Sequence, residues 1–440
     1  MISNKIFKSP VVFILLTLFT TIFQGGNNLI IIILFNIVLV IFYKYLNISN
    51  LKDHTLLKWL FCIFLSYLII QNIPLPNFIG HKLSLENYEV YKDIYQKNFF
   101  HISLSLENSI RGFLIFSSSF LILLIIPSLI NNKRALNNSL KAILIFSIFQ
   151  SIFGILIYVL DINQILFFYK KTHYFESVTG TFINRNNFSL FLVISFIISI
   201  YYLNFYKKYF LQSFKTTYAF LLSDLFLIRL GILIISIGII LTKSRAGNFT
   251  FLIILICIAV HDYIKYKKIT FLNFSIITIV FVDLIFISQM IGGDHTLQRF
   301  AITNFEGERP RFEVFKIGLN EFFNFPILGY GLGGFEVIYA HKYNTSKLFY
   351  DHIHNDFIEY LGELGLIGFV ILFLLIPITI LKKMYALNQI SDLKNIIIFS
   401  LIALIVHCNL DFSFHMPGNI FYIFLILGMG LMKQKQNRIT

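Results

Sequence analysis

In the stretch Asp351-His-Ile-His-Asn-Asp356, His354 is the side chain best suited to move a proton, because an imidazole titrates near neutrality. Glu359 and Glu363 follow in the first turns of a helix expected to start near Phe357, where carboxylates complement the positive helix end. Metal ligation is another use for such residues. His352 and His354 form one candidate pair; His407, Asp411 and His415, spaced i, i+4, i+8, form another set. A divalent-metal site needs three or four ligands held together. The expectation is no metal and no other cofactor.

Three arginines add a different chemistry. They lie close to membrane level: Arg185 in Thr181-Phe-Ile-Asn-Arg-Asn-Asn187, Arg245 in Lys243-Ser-Arg-Ala-Gly247, and Arg229 toward the inner end of a span; Arg311 of the long loop can join the first two. A guanidinium binds phosphate oxygens in pairs. It can also reach up to lipid headgroups. Arg245 lies between two closely spaced apolar runs, with Gly247 permitting close backbone approach. A charge there is costly unless it faces water or the protein interior. Arg185, Arg245 and Arg311 are therefore candidates for one anion site.

The glycine-rich Gly329-Tyr-Gly-Leu-Gly-Gly334 lacks the Gly-Lys-Ser/Thr ending of a nucleotide phosphate loop and is expected to be a tight turn between helices. Before it, Arg311 to Phe325 reads as an amphipathic helix. Pro310 suits its first turn, and Phe312, Phe315, Leu319 and Phe322 recur on one face. Such a helix is expected on a membrane surface or packed on spans.

The elements that must position these residues are membrane helices. Of the 440 residues, 57% are hydrophobic and only 13% are charged, about half the charge of an average soluble chain. Mean hydropathy is +0.76. The apolar residues form long runs without the period-2 alternation of barrel strands, so they must satisfy their own backbone hydrogen bonds as helices. The fold class expected is all-α, a polytopic transmembrane bundle of about 12 spans in a single membrane domain over 1–440. The spans fall near 10–25, 28–43, 57–73, 109–130, 142–160, 188–206, 222–242, 246–262, 271–290, 357–381, 395–411 and 418–432. A poor cleavage site at Gln24-Gly25-Gly26 predicts that the first span is retained. Cys62, Cys257 and Cys408 lie in apolar runs and read as small buried hydrophobes.

Lysine and arginine orient the spans. With the N-terminus inside, the inside loops hold Lys44, Lys52 and Lys58; Lys133, Arg134 and Lys141; Lys207, Lys208 and Lys215; Lys265, Lys267 and Lys268; Lys382, Lys383 and Lys394. The tail adds Lys433, Lys435 and Arg438. Both termini are predicted cytoplasmic. The formal charge of +14 thus marks topology and does not point to nucleic acid. The longest polar stretch, 291–356, containing Arg299, Arg309 and Arg311, falls on the other side between spans 9 and 10, together with Arg185, Arg245 and His354.

These residues carry a resemblance. His354-Asn355, nine residues, then Gly365-Leu-Ile-Gly368 is similar to the histidine motif of the O-antigen ligase family. Thr179 to Asn187, Ser244-Arg245-Ala-Gly247, the block from Arg311 through Pro326 to Gly331, and His407 to Pro417 resemble further family stretches. Together they cover about 178–418. Phe315 stands where Trp is more usual. The resemblance implies a membrane glycosyltransferase that moves a glycan from an undecaprenyl diphosphate carrier to the lipid A core, at the periplasmic face of the cell inner membrane. His354 would be catalytic, Arg245, Arg311 and Arg185 would bind the donor diphosphate without a metal, and Asn355 and Asp411 would support. The partners implied are the lipid-linked glycan, the glycan acceptor and membrane lipid. A repeat-unit polymerase for O-antigen or exopolysaccharide shares much of this pattern. A transporter of lipid-linked glycan would show internal repeats and helices broken near the bilayer midplane, and no internal repeat is evident. A non-catalytic scaffold in envelope glycan assembly is the third alternative.

Overall fold

The computed structural model describes residues 7–46, 54–83, 85–96, 99–166, 169–209, 223–267, 309–343 and 349–433. Within them the chain is almost wholly helical. Helices α1 (Pro10–Phe19), α2 (Leu29–Tyr45) and α3 (Thr55–Asn72) come first. Two short helices, α4 (Asn77–Leu83) and α5 (Leu85–Tyr95), lead to α6 (Leu106–Leu129) and α7 (Lys133–Val159). Next are α8 (Arg185–Tyr209), α9 (Asp224–Leu241) and α10 (Arg245–Tyr266). After the undescribed segment come α11 (Arg309–Asn324), α12 (Gly334–Lys342), α13 (Asp356–Val370), α14 (Ile376–Ala386), α15 (Ser391–Cys408) and α16 (Pro417–Met429). Strands are limited to two antiparallel pairs of two residues each, Leu75–Pro76 with Phe99–Phe100 and Gln164–Ile165 with Tyr169–Lys170.

Eight helical segments among the described residues are long and apolar enough to cross a membrane, α13 and α14 counting as one, and α1, α2 and α16 are shorter apolar helices. They fall on the expected spans except 271–290, which lies outside the described residues, as does Arg299. The helix starts follow from the side chains before them. Asn28, Asn132, Ser223, Ser244 and Asn355 each accept from a backbone N–H of the first turn.

Helix α8 forms the centre of the bundle. It packs against α7, α9, α10 and α15 and is nearly all buried. Its serines turn inward and are paired: Ser195 Oγ meets Tyr422 Oη at 3.1 Å and accepts from Ser147 Oγ at 2.8 Å. Pairing removes most of the cost of burying a hydroxyl. The outer helices instead point apolar side chains outward, among them Ile30, Leu34 and Ile37 of α2 and Trp59 and Ile63 of α3. Lipid-facing helices present such surfaces. The same outward faces correct the reading of the cysteines. Cys408 is buried, Cys257 is half-buried and Cys62 is exposed, because an apolar position in a membrane helix can face lipid as readily as protein.

Candidate active site

Helix α13 begins at the site and is broken within it. Gly365 adopts φ 58°, ψ −178°, a conformation foreign to a helix and accessible essentially to glycine. The main-chain groups freed by the break pair with the Pro326–Gly331 turn. Leu366 N donates to Pro326 O at 2.8 Å, Tyr330 N to Gly362 O at 3.1 Å, and Gly331 N to Glu363 O at 2.9 Å. The two backbones approach so closely at Gly329 that a Cβ there would lie 2.3 Å from Glu363 O. Tyr67 of α3 donates to Leu328 O at 2.6 Å or Leu364 O at 2.8 Å, and Gln71 Nε2 donates to Leu328 O at 2.7 Å, which seals the crossing. The glycine-rich stretch is thus the expected turn. Its N–H groups at Gly329, Tyr330, Gly331, Gly333 and Gly334 are all taken by protein acceptors, which leaves no cradle for phosphate.

This crossing fixes the loop that carries the histidines. His354 lies at φ +59°, a region uncommon for a side chain with a Cβ. Its Nδ1 meets Asp411 Oδ1 at 3.1 Å, and Phe412 N donates to the same oxygen at 2.9 Å. Burial opposes charge on Asp411, but the hydrogen bond and charge of His354 hold it below the ordinary carboxylate value. An ionised carboxylate only accepts, so Nδ1 carries the proton and Nε2 is the basic atom of the ring. Asn355 ties both loops together. Its Oδ1 caps α13 at Ile358 N, and its Nδ2 donates to Asn409 O at 3.1 Å.

The neighbouring acids and rings form a second network. His352 Nδ1 lies 2.6 Å from Glu359 Oε1, while Ile353 N donates to Glu359 Oε2 at 2.8 Å. His415 Nδ1 pairs with Asp356 Oδ1, and its Nε2 lies 3.4 Å from Glu363 Oε2. Gly333 N donates to Glu363 Oε1 at 2.7 Å. Rings are clamped by stacking, His352 on Phe412 at 4.2 Å and His415 on Tyr360 at 4.0 Å. Burial works against charge on both imidazoles. The carboxylate of Glu359 nevertheless raises His352, and Glu359 with Asp356 and Glu363 raises His415 well above the usual value. The expected role of Glu359 and Glu363 as helix-end charges is therefore too small; both are buried partners of the loops. The expected set of His407, Asp411 and His415 is divided among different partners. His407 Nε2 contacts Ser189 Oγ at 3.2 Å, Asp411 holds His354, and His415 joins Asp356 and Glu363.

The arginines stand around this centre. Arg185 and Arg245 open the neighbouring helices α8 and α10. Ser244 Oγ donates to Asn186 Oδ1 at 2.7 Å, and a Cβ at Gly247 would lie 2.3 Å from Ser189 Oγ, so the two helix starts are pressed together. Both ends present the positive pole of a helix, where anions are favoured. Arg185 donates to Ser177 Oγ at 3.3 Å and sits 5.2 Å from the centre of the Tyr174 ring. Tyr174 links the groups. Burial and Asp411 raise its hydroxyl, while Arg185 and Arg311 act on it in the opposite direction. Arg311 also acts on Tyr350, whose ring meets His354 edge-on at 6.4 Å between centroids. Arg185 and Arg311 thus share a neighbourhood with the His354–Asp411 pair, and Arg245 adjoins Arg185 across the Ser244–Asn186 bond.

Helix α11 carries Arg311 but does not turn the whole expected face inward. Val314 and Glu321 are buried, and Gly318 faces Ile353 and Ile358; of the expected face, Phe315 packs partly against the core, whereas Phe312 and Leu319 are 55% and 39% exposed. Two site residues had no sequence signal. Tyr174 sits in an irregular loop, and Lys171, 2% exposed, donates to Ser177 O at 2.9 Å, with burial pushing its ammonium down to about 8.

The O-Antigen ligase family model matches residues 230–373, a span that contains Arg245, Arg311, the Pro326–Gly331 turn, His354 and Gly365. This match supports an O-antigen ligase-related family over that segment, about a third of the chain. No curated protein matches the chain. The family match supports glycan transfer of the O-antigen ligase or polymerase kind, which in general involves a lipid-linked glycan and a glycan acceptor, and the apolar helices suit a multi-pass membrane protein. Arg185, Asp411 and His415 lie outside the matched segment and join the site only through the fold.

Proposed function

We propose that the chain transfers a glycan from undecaprenyl diphosphate to the lipid A core at the periplasmic face of the inner membrane, with His354 as general base. The observation that carries this reading is the His354–Asp411 pair at 3.1 Å, set beside Arg311 and Arg185 through Tyr350 and Tyr174. An acceptor hydroxyl is a poor nucleophile, so Nε2 of His354 takes its proton as the oxygen attacks the anomeric carbon. The new carbon–oxygen bond forms as the bond to the carrier phosphate breaks, and the diphosphate departs with the bonding electrons. Arg245, Arg311 and Arg185 hold the growing charge, together with the starts of α8 and α10, so that no metal ion is needed at the leaving group. Attack opposite the leaving group inverts the anomeric centre. Asp411 and Asn355 act through His354, the first by fixing its tautomer and the second by fixing its loop.

Deletion of the gene tests the acceptor. Loss of glycan attachment with carrier-linked chains accumulating supports ligation to the lipid A core. Surface chains of one repeat unit would point instead to a repeat-unit polymerase.

A further inference from the structure

Beside the His354–Asp411 pair, three side chains converge with the spacing of a metal site, and a fourth, Glu363, lies against one of them. Donor atoms of His352, Glu359 and His415 all lie within 4.8 Å of one another. His415 Nε2 is 3.5 Å from Glu359 Oε1 and 3.4 Å from Glu363 Oε2. A tetrahedral zinc ion with bonds of about 2.0–2.1 Å sets its ligand atoms about 3.4 Å apart. The His415–Glu359 separation thus matches an edge of such a tetrahedron, while Glu363 braces His415 from beside it. His352 Nδ1 and Glu359 Oε1, now 2.6 Å apart, need to open by about 0.8 Å when a metal replaces the proton between them.

The outer partners are already in place. His415 presents Nε2 inward because its Nδ1 is held by Asp356, the carboxylate–histidine pairing common behind metal-bound imidazoles. Glu359 and Glu363 each use one oxygen toward the cluster and have the other fixed by a backbone N–H, from Ile353 and Gly333 respectively. Stacking on Phe412 and Tyr360 holds the two rings. The carboxylates of Asp356, Glu359 and Glu363 are essentially inaccessible around the two imidazoles. The side chain of His352, 28% exposed, gives a route in from the surface.

We infer that His352, Glu359 and His415 form a binding site for a divalent transition-metal ion, with zinc the best match to two nitrogen donors and a carboxylate oxygen. Calcium and magnesium favour all-oxygen shells and fit less well. The ion has a structural role. His352 lies two residues before His354, and His415 lies four after Asp411, so one metal joins the two loops that carry the proposed base and its carboxylate. It takes no part in the transfer step.

The test uses the full chain, purified in detergent, stripped with a chelator and titrated with zinc chloride. About one zinc per chain is expected, with protons released on binding and a higher melting temperature. X-ray absorption should show nitrogen and oxygen neighbours at about 2.0–2.1 Å with imidazole scattering. His352→Ala and Glu359→Gln should each weaken zinc binding at least about 100-fold, and Asp356→Asn about 10–100-fold. Arg245→Ala, which weakens donor use under the function proposed above, should leave zinc binding unchanged; the two readings can therefore fail separately. Should a ligand variant fail to fold, the wild-type titration and absorption spectrum still decide. Absence of zinc uptake by the stripped wild type would overturn the inference and leave a proton-held network. So would unchanged zinc affinity in the His352→Ala/Glu359→Gln double variant.

Discussion

At the residue scale, His354→Ala should lower transfer by about 10²–10⁴-fold, the usual worth of a positioned base, in a chain that still folds and inserts. Asp411→Asn should lower kcat by at least about 10-fold with little change in KM for the donor, because Asp411 aligns the ring without touching the substrate; a steady-state split between kcat and KM checks this. Lys171 gives a pH test. Its ammonium is held near 8 in the folded chain and near 10.5 in the unfolded one, so between those values the unfolded chain binds more protons. Its burial penalty is full below pH 8 and is relieved as pH rises toward 10.5. Scanning fluorimetry should show a Lys171→Met variant melting higher than wild type at pH 7, with the difference shrinking by pH 10. His354 was legible as a residue type, whereas Asn355 and the supporting part of Asp411 came in with the family resemblance. Tyr174 and Lys171 were not legible, since an irregular loop has no periodicity and their roles come from neighbours distant in sequence, Arg311 and Asp411 for the first.

At the element scale, the break in α13 is the device that sets the site. Gly365→Ala places a Cβ 2.3 Å from Ile327 O in a backbone conformation costing about 1–3 kcal/mol even without the clash. A melting temperature or folded yield well below wild type is expected, together with loss of transfer. Gln71→Ala removes the donor to Leu328 O and should cost about 1–3 kcal/mol, read as the shift of a thermal unfolding curve. The glycines of both motifs stood out in the sequence, but their reason did not. A helical pattern through 357–381 gives no sign that Gly365 leaves the helix, or that a turn some 40 residues earlier supplies the missing main-chain partners. Helix α11 shows a similar limit. Its 3.6-residue repeat identified the helix, yet small Gly318 and buried Glu321, bonded to Lys342 and Tyr343, define the packed face. Of the expected stripe, Phe312 and Leu319 stay outside while Phe315 packs partly inward.

At the scale of the whole molecule, hydropathy located the helices well because a bilayer demands long apolar runs, and the hydrogen-bonded serines of α8 show which helix lies innermost. Sidedness rests on the lysine and arginine register alone. Single cysteines at Asn131 and Glu336, in a background with Cys62, Cys257 and Cys408 replaced by serine, should react with an impermeant maleimide only at Glu336 in whole cells. Reaction at Asn131 alone would reverse the orientation. The most direct measurement of the chemistry is transfer in a single turnover, with the purified chain in liposomes, a polyprenyl diphosphate-linked glycan and a lipid A core acceptor, and donor binding followed in the same samples. Wild type should transfer; His354→Ala should bind donor as well as wild type and lose transfer at least about 100-fold. Full transfer by His354→Ala would contradict the assignment of His354 as the base.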